Sequence, residues 1–486
     1  MTAAKATTAG TKAPGRGASV RRTGSTPNAK LAARVADRIV DDIVDRGWPE
    51  GEVLGSETEL IARYGVSRAV FREAVRLVEH AGAARARRGP GGGLVVTAPS
   101  VTTVIDAVMV YLTYAQVRLD EVFEARLAVE ETIAEIVPAR LTEQGIARLR
   151  ELVDDEAAGR SHDLRRLHTE LASMTRNPAL ELFVEIFTRV SNNYLGPVPT
   201  VGRLTALHSA EVHARIVDAV ISGNEGVARR RMRAHLLAEA DWVRRRRGAR
   251  QHLDPSLLGL APEPSKRAEA VASEIFGEIA SSGWPVGQLL GSEPELVERY
   301  GVSRAVFREA VRLLEHHQIA KMRRGPGGGL FVTEPGVDAI TEAIALSLER
   351  RGIQAKQLAE VRKGVELACV ELATERLDDD GIARLEEGLA LERAVHEAEF
   401  SPAAHDVHVV IAEVTGNRVL ALIVLVLARL SLLHQSSGRT RPPGAEIERD
   451  VIAIHESIVE AILANDAQLA RFRMRRHIET LSTYLR

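Results

Sequence analysis

The sequence predicts a mainly α-helical chain: two winged helix-turn-helix domains, each with a small β-wing, and two all-helical antiparallel bundle domains. Three observations predict it. First, Tyr64–Leu77 reads YGVSRAVFREAVRL and recurs letter for letter as Tyr300–Leu313, an offset of 236 residues. The flanks repeat in step: Gly47-Trp48-Pro49 with Gly283-Trp284-Pro285, Gly55-Ser56-Glu57 with Gly291-Ser292-Glu293, and RRGPGGGL at Arg87–Leu94 with Arg323–Leu330. A self-match of this length is a tandem duplication, and its period is that of a whole two-domain protein. Second, each copy runs helix, tight turn, helix, strand, glycine turn, strand. Third, the long segments between carry apolar residues at helical spacing and no strand alternation.

Composition bounds the rest. The 486 residues are 45% hydrophobic and only 4% aromatic, so each core relies on Leu, Val, Ile and Ala, which together with Arg and Glu favour helices. A single cysteine, Cys369, excludes a disulfide framework and CxxC metal sites, agrees with a reducing cytosol, and reads as a small buried hydrophobe. Residues 1–28 read as a disordered basic tail without the apolar region of a signal peptide. Domain one follows at 29–99, a helical domain at 100–247, a proline-bearing linker at 248–264, the second winged domain at 265–335 and the second helical domain at 336–486.

Lys30 to Arg46 is predicted helical, with Leu31, Val35, Ile39 and Ile43 as its apolar stripe; its counterpart runs from about Lys266 to Ala280 with Val271, Ile275 and Ile279. Ser56-Glu57-Thr58-Glu59 is a capping box opening a short helix, Glu57 to Arg63, with Leu60 and Ile61 apolar. Gly65 suits a turn at positive φ, and Ser67 is a strong cap for the next helix. There Val70, Ala74, Leu77 and Val78 are expected inward, while Arg68 and Arg72, four apart, project together. Arg304, Arg308 and Arg312 repeat the outer face. Arg85 to Arg88, a glycine turn and Leu94–Thr97 form a two-stranded wing. From Arg63 to Arg88 seven arginines face only Glu73 and Glu79, on a chain of net charge −2. A local basic face on a neutral chain suits phosphate neutralisation, and paired arginines on a helix suit guanine in a major groove. The glycine run lacks the G-K-[ST] ending of a phosphate loop.

The order S-E-x-E-L, Y-G-V-S-R-x-x-x-R-E-A, basic pair, glycine wing resembles the GntR family of bacterial winged-helix transcription factors. The resemblance implies that Ser67, Arg68, Arg72, Arg88 and Gly89 contact double-stranded DNA, with Ser303, Arg304, Arg308, Arg324 and Gly325 as their twins. Where the family often carries a base-reading Arg after S-E, this chain has Thr58 and Pro294, which implies a different operator sequence.

In the helical domains, predicted helices include Leu119–Val137, Thr142–Ala157, His162–Met174, Pro178–Asn193, Leu204–Ser222 and Asn224–Arg246, separated by breakers such as Pro138, Gly159 and Asn177-Pro178: six or seven helices per bundle. Val419–Ala428 is strongly apolar but too short to span a bilayer. These domains resemble the FCD domain of the FadR subfamily. His168, His213 and His235 recur as His408, His455 and His477, with the last two 22 apart in each half. The resemblance implies a divalent metal, zinc or nickel, held by these histidines and by an Asp four residues before the first. That position holds Leu164 and Ala404; Asp163 and Asp406 fall on the wrong face, and His405 is the candidate substitute in the second half. Arg126…Glu130 and Arg362…Glu366 match the family's R-x-x-x-E, whose Arg pairs with an effector carboxylate; the plain reading is an i,i+4 ion pair.

The expected function is a ligand-responsive transcriptional regulator, a repressor rather than an activator. It is expected in the cytoplasm and off the membrane. It would bind a palindromic operator as an intramolecular pseudo-dimer, or as a homodimer, and respond to a small organic acid or acyl-thioester. Two other classes stand beside it: a DNA-organising protein with no effector, and a metal-dependent hydrolase. No residue supplies a general base at fixed spacing, so no enzyme is expected.

Overall fold

A computed structural model describes residues 27–87, 89, 92–98, 101–160, 165–195, 203–245, 267–397, 407–436 and 445–484. The tail to residue 26, the linker and His405 lie outside the described residues.

Each half opens with a winged domain. In the first, α1 (Pro27–Asp45), β1 (Val53–Gly55), α2 (Glu57–Tyr64), α3 (Arg68–His80), β2 (Ala84–Arg87) and β3 (Gly93–Val96) follow one another. The second repeats them as α11 (Arg267–Ser281), β4 (Leu289–Gly291), α12 (Glu293–Arg299), α13 (Arg304–His316), β5 (Ala320–Arg323) and β6 (Gly329–Val332). The helix expected from Lys30 thus begins at Pro27, where a fixed φ suits the first turn. The wing gains a third strand, in the order β1-β3-β2, all antiparallel. Three residues are too few to show alternation, so β1 carried no sequence signal. Its approach to β3 requires glycine: a Cβ on Gly93 would lie 2.4 Å from the Gly55 carbonyl oxygen.

Two apolar positions are corrected. Leu31 is 38% exposed and Leu77 42% exposed. A step of four drifts about 40° on a helix of 3.6 residues per turn, so three steps carry Leu31 about 120° from Ile43. The buried face of α1 is Ala32, Val35, Ala36, Ile39, Val40 and Ile43. On α3 the buried arc is Val70, Phe71, Ala74, Val75 and Val78, and Leu77 falls just beyond its Val70 edge.

Among the described residues seven α-helices make each bundle: α4 (Val101–Tyr114), α5 (Leu119–Ile136), α6 (Glu143–Ala157), α7 (Arg166–Met174), α8 (Pro178–Leu195), α9 (Arg203–Ile221) and α10 (Glu225–Arg245) in the first. The second has α14 (Val337–Arg350), α15 (Ala355–Glu375), α16 (Asp379–Glu397), α17 (Val407–Val414), α18 (Arg418–Ser436), α19 (Ala445–Leu463) and α20 (Ala467–Tyr484). Val419–Ala428 lies within α18 and is mostly buried. Among the described residues no helix is long and apolar enough to cross a membrane. Cys369 is free and buried, and burial pushes its thiol up.

The two halves pack on each other by like faces. Asn177 Nδ2 donates to the Gln357 carbonyl at 2.9 Å and to Glu360 at 3.2 Å; Asn417 Nδ2 donates to the Glu121 carbonyl and to Glu124, both at 2.9 Å. Arg140 pairs with Glu360, and Arg376 pairs with Glu124. Glu121 and Glu124 are the twins of Gln357 and Glu360, so each contact is made twice with the halves exchanged. That reciprocity is the signature of a two-fold interface, here inside one chain. Helices α5 and α15 cross at its centre.

The winged domains dock crosswise. Tyr114, at the end of the first bundle's α4, donates to Glu334 at 2.8 Å and meets the Trp284 ring edge-on at 5.5 Å, both in the second half. Arg350, at the end of α14, pairs with Glu50 of the first winged domain at 3.0 Å. Arg429 on α18 reaches Glu342 and also Asp37 on α1, at 2.7 Å. The position equivalent to Asp37 in α11 is Ser273.

Candidate functional site

The outward face of α3 and its copy α13 is built alike. Ser67 caps α3, its hydroxyl accepting from Val70 N at 3.3 Å, and Ser303 does the same for Val306. Gly65 and Gly301 sit at φ 65 and 58, the left-handed turn that glycine permits. The capping box at α2 is formed: Ser56 N donates to Glu59 at 2.8 Å and Glu59 N to Ser56 Oγ at 3.3 Å. That acceptor role holds the Glu59 carboxyl below its usual range, as the Ser292 backbone does for Glu295.

Arg68, Arg72 and Arg308 are about two-thirds exposed. A residue that composition and spacing did not single out steadies them: Glu57 Oε1 lies 3.0 Å from Arg72 Nε and 3.3 Å from Arg68 Nε, and Glu293 accepts from Arg308 at 2.9 Å. The signal was present in the capping-box motif, where the residue after the cap is spare. Gly89 and Gly325 both take φ 101 in the wing turn, and Arg324 is exposed beside it; Arg88 lies outside the described residues.

The six histidines converge as two triads. His168, His213 and His235 come from α7, α9 and α10; His408, His455 and His477 from α17, α19 and α20. In the second triad the Nε2 atoms are 3.2, 3.2 and 3.1 Å apart; in the first, His235 Nε2 is 3.3 Å from His168 and 3.4 Å from His213. Carboxylates hold the other ring nitrogens: Glu130 on His168 Nδ1, Glu156 on His213 at 2.7 Å, Glu366 on His408 at 2.6 Å and Glu392 on His455 at 2.7 Å. Glu156 and Glu392 were not legible in the sequence, because their partners lie 57 and 63 residues away.

Burial pushes the Glu130 carboxyl up, but Arg126 and His168 outweigh it and hold it down to about 2; Glu366 is lowered in the same way by Arg362 and His408. An ionised carboxylate only accepts, so the Nδ1 of its histidine donates and the Nε2 lone pair points away from it. Such lone pairs meet at the centre of each triad. Burial pushes His235 and His477 well below the usual imidazole range, and their histidine neighbours act in the same direction. Imidazole nitrogens 3.1–3.4 Å apart are held together by a proton shared between two of them or by a cation among them. Zn–N bonds of about 2.0–2.1 Å set ligand atoms roughly 3–3.4 Å apart, so the donor set fits a divalent ion.

Arg126 and Arg362 make the plain i,i+4 ion pair. Arg126 Nε donates to Glu130 at 2.5 Å and Arg362 Nε to Glu366 at 2.6 Å, the i,i+4 pair, and each carboxylate also holds a triad histidine. The first pair is buried and the second nearly so. The expected carboxylate positions Leu164 and Ala404, with Asp163 and Asp406, lie outside the described residues.

Comparison with known proteins agrees with both parts. Residues 31–94 and 267–332 match the bacterial regulatory proteins of the gntR family, and residues 121–238 and 357–480 match the FCD domain. The protein titled "Uncharacterized HTH-type transcriptional regulator YcbG" of Bacillus subtilis (strain 168) is 25% identical over 213 residues, 44% of this chain and 87% of its own length. The HTH-type transcriptional repressor NanR of Cronobacter sakazakii (strain ATCC BAA-894) is 27% identical over 234 residues, 46% of this chain and 87% of its own length. A solved structure, Streptococcus agalactiae GntR, is 24% identical, covers 44% of this chain and 99% of its own, and has a TM-score of 0.36. Each relative spans about one half of the chain, as a duplication requires. The chain belongs to the GntR family of bacterial regulatory proteins, a DNA-binding transcriptional regulator that carries the family's winged domain twice and the FCD domain twice.

Proposed function

We propose that a single chain supplies both readers of a palindromic or pseudo-palindromic operator, as an intramolecular pseudo-dimer in the cytoplasm, and that a small carboxylate or acyl-thioester bound in the helical domains releases it from DNA. The observation that carries this reading is the reciprocal clasp of Asn177 and Asn417, which pairs the two halves as a two-fold dimer would be paired. Helices α3 and α13, which differ only at the buried Val78 and Leu314, then call for two similar half-sites. Ser67, Arg68, Arg72, Arg88 and Gly89, with Ser303, Arg304, Arg308, Arg324 and Gly325, are assigned to DNA. The exposed arginines, held by Glu57 and Glu293, are pre-oriented for base edges, where one good contact is worth about 1–3 kcal/mol.

His168, His213 and His235, and His408, His455 and His477, would hold zinc or nickel, which when bound supplies a cationic seat for an anionic effector. Arg126 and Arg362 add a fork suited to a carboxylate. Through Glu130 and Glu366 each arginine is tied to a triad histidine, so a ligand on the arginine acts on the triad. The crosswise docking of the winged domains gives a route outward, since α4 and α14 each touch the other half's winged domain. Repression is the favoured sense, as in the relative named a repressor.

Light scattering of the complex on selected operator DNA tests the reading, with Arg68→Ala and Arg304→Ala alongside. One chain per palindrome, with each substitution costing affinity, is expected. Two chains per site, or one silent substitution, refutes the pseudo-dimer.

A further inference from the structure

The two winged domains share a recognition helix but not a wing. In β5 and β6 Lys321 pairs with Phe331 and Arg323 with Gly329; in β2 and β3 Arg85 pairs with Val95 and Arg87 with Gly93. Side chains alternate along a strand, so these residues share the outer face of each sheet, away from the buried Leu94 and Leu330. The glycine opposite Arg323 lets its chain lean toward the diagonal neighbour, which long and aromatic side chains can reach. There the Arg323 guanidinium carbon lies 4.3 Å from the centre of the Phe331 ring. A cation held over a ring face keeps its edge N–H groups for another partner. Arg323 is exposed and directly precedes the turn that carries Arg324 and Gly325. In the first wing the diagonal neighbour of Arg87 is Val95, and whatever else Arg87 touches, that position offers no ring.

We propose that the chain binds its operator in one orientation, with the second winged domain on the half-site whose flank has the narrower minor groove, and that Phe331 is the positioning residue that sets this orientation by holding Arg323. This rests on the reading that one chain serves both half-sites. Two identical subunits on a palindrome cannot tell left from right. Here α3 and α13 present the same arginines, so the inner bases of the half-sites match and discrimination falls to the flanks under the wings. A narrow, A·T-rich minor groove carries an enhanced negative potential that draws in arginine. A guanidinium already fixed on a ring has less freedom left to lose on entering it. That gain belongs to the wing with the ring, so the complex with the wings exchanged is the weaker one.

The test uses full-length protein with a DNA-cutting iron chelate on one introduced cysteine: Glu298→Cys in the second winged domain, or Ala62→Cys at the matching place in the first. Both positions are exposed, and Cys369 is buried. The DNA is a perfect palindrome of the selected half-site, with an A·T run on one flank and G·C pairs on the other. The chelate on the second domain is expected to cut the A·T side about 2–5-fold more than the other, the size of one exposed cation–ring contact, and the chelate on the first domain the reverse. Phe331→Val evens the cutting, while Phe331→Tyr, which keeps a ring, preserves the bias. Circular dichroism reports whether Phe331→Val folds; where it does not, Arg323→Ala decides and is expected to even the cutting. Equal cutting of both sides by protein bound as one chain per duplex overturns the proposal and leaves the single-chain reading standing. A bias toward the G·C side, or one that survives Phe331→Val or Arg323→Ala, also overturns it. Two chains per duplex, counted by light scattering, overturn the single-chain reading and the proposal together.

Discussion

Gly364 lies in α15 where that helix crosses α5, and replacing it with alanine is the sharpest probe of how the halves fit. A Cβ there would lie 1.8 Å from Thr132 Oγ1, 3.0 Å from Thr132 Cβ and 3.1 Å from the Ala128 carbonyl oxygen. Thr132 cannot turn aside freely, because its hydroxyl donates to Ala128 O at 2.7 Å. Overpacking of this kind costs about 1–3 kcal/mol, and a lost hydrogen bond adds about 1 kcal/mol. Alanine in place of glycine within a helix returns about 1 kcal/mol. The net expectation for Gly364→Ala is a destabilisation of about 1–3 kcal/mol. Gly277 is the control: it is helical, in α11, and a Cβ there meets nothing within 4 Å. Gly277→Ala is expected to stabilise by about 0.5–1 kcal/mol. Urea unfolding followed by circular dichroism measures both, and Thr132→Ala, which removes the nearest atom, should recover most of the loss in the double variant. A Gly364→Ala protein as stable as Gly277→Ala, or one indifferent to Thr132→Ala, would show that the crossing is not packed as described.

Asn177→Ala and Asn417→Ala each remove two donated hydrogen bonds across the halves and should cost alike, about 1–3 kcal/mol, by the same unfolding assay. Asp37→Ser unties the first winged domain from Arg429 and should speed hydrogen exchange in α1 alone, by a factor of a few, since a pair half-open to solvent on its Asp37 side is worth on the order of 1 kcal/mol; Arg189, the twin of Arg429, pairs with Asp106 at 3.3 Å, and Ser273→Asp offers it the second partner that Arg429 has, which should slow exchange in α11. Glu57→Gln releases Arg68 and Arg72 and should lower discrimination between operator and random DNA more than it lowers total affinity, read by competition binding at fixed salt. The carboxyls of Glu59 and Glu295 are lowered by folding, so their stabilisation is complete above about pH 4.3–4.5, the unfolded value, and is lost as pH falls through the lower folded value; Glu59→Gln and Glu295→Gln together should flatten the melting curve's acid slope in that window.

Local chemistry made much of this legible. Caps, breakers and periodicity located the helices of the winged domains and α5 to α10 of the first bundle, because each is decided within a few neighbouring residues. The turn glycines Gly65 and Gly301 were legible because a left-handed φ leaves few other choices. The histidines were legible as repeated spacings within a family pattern. What escaped depends on atoms far apart in sequence. Glu156 and Glu392 steady histidines from another helix, and Glu57 reaches an arginine 15 residues on. Leu31 was misplaced because a stripe read in steps of four ignores the helix's drift, and Leu77 because the seven residues from Val70 carry it about 20° past the edge of the buried arc. The crosswise docking has no local signature at all.

The duplication has a consequence at the crossing of α5 and α15. Gly364 is the twin of Ala128, and Thr132 is the twin of Ala368. Glycine therefore faces threonine on one side of the axis, while both twin positions hold alanine. Two identical subunits must accept every substitution on both sides at once, so an unlike pair of this kind is closed to them. A single gene encoding both sides can select each one alone. Fusion in this protein thus gives more than proximity: it permits an inherited asymmetry in which the sides diverge separately while still recognising each other.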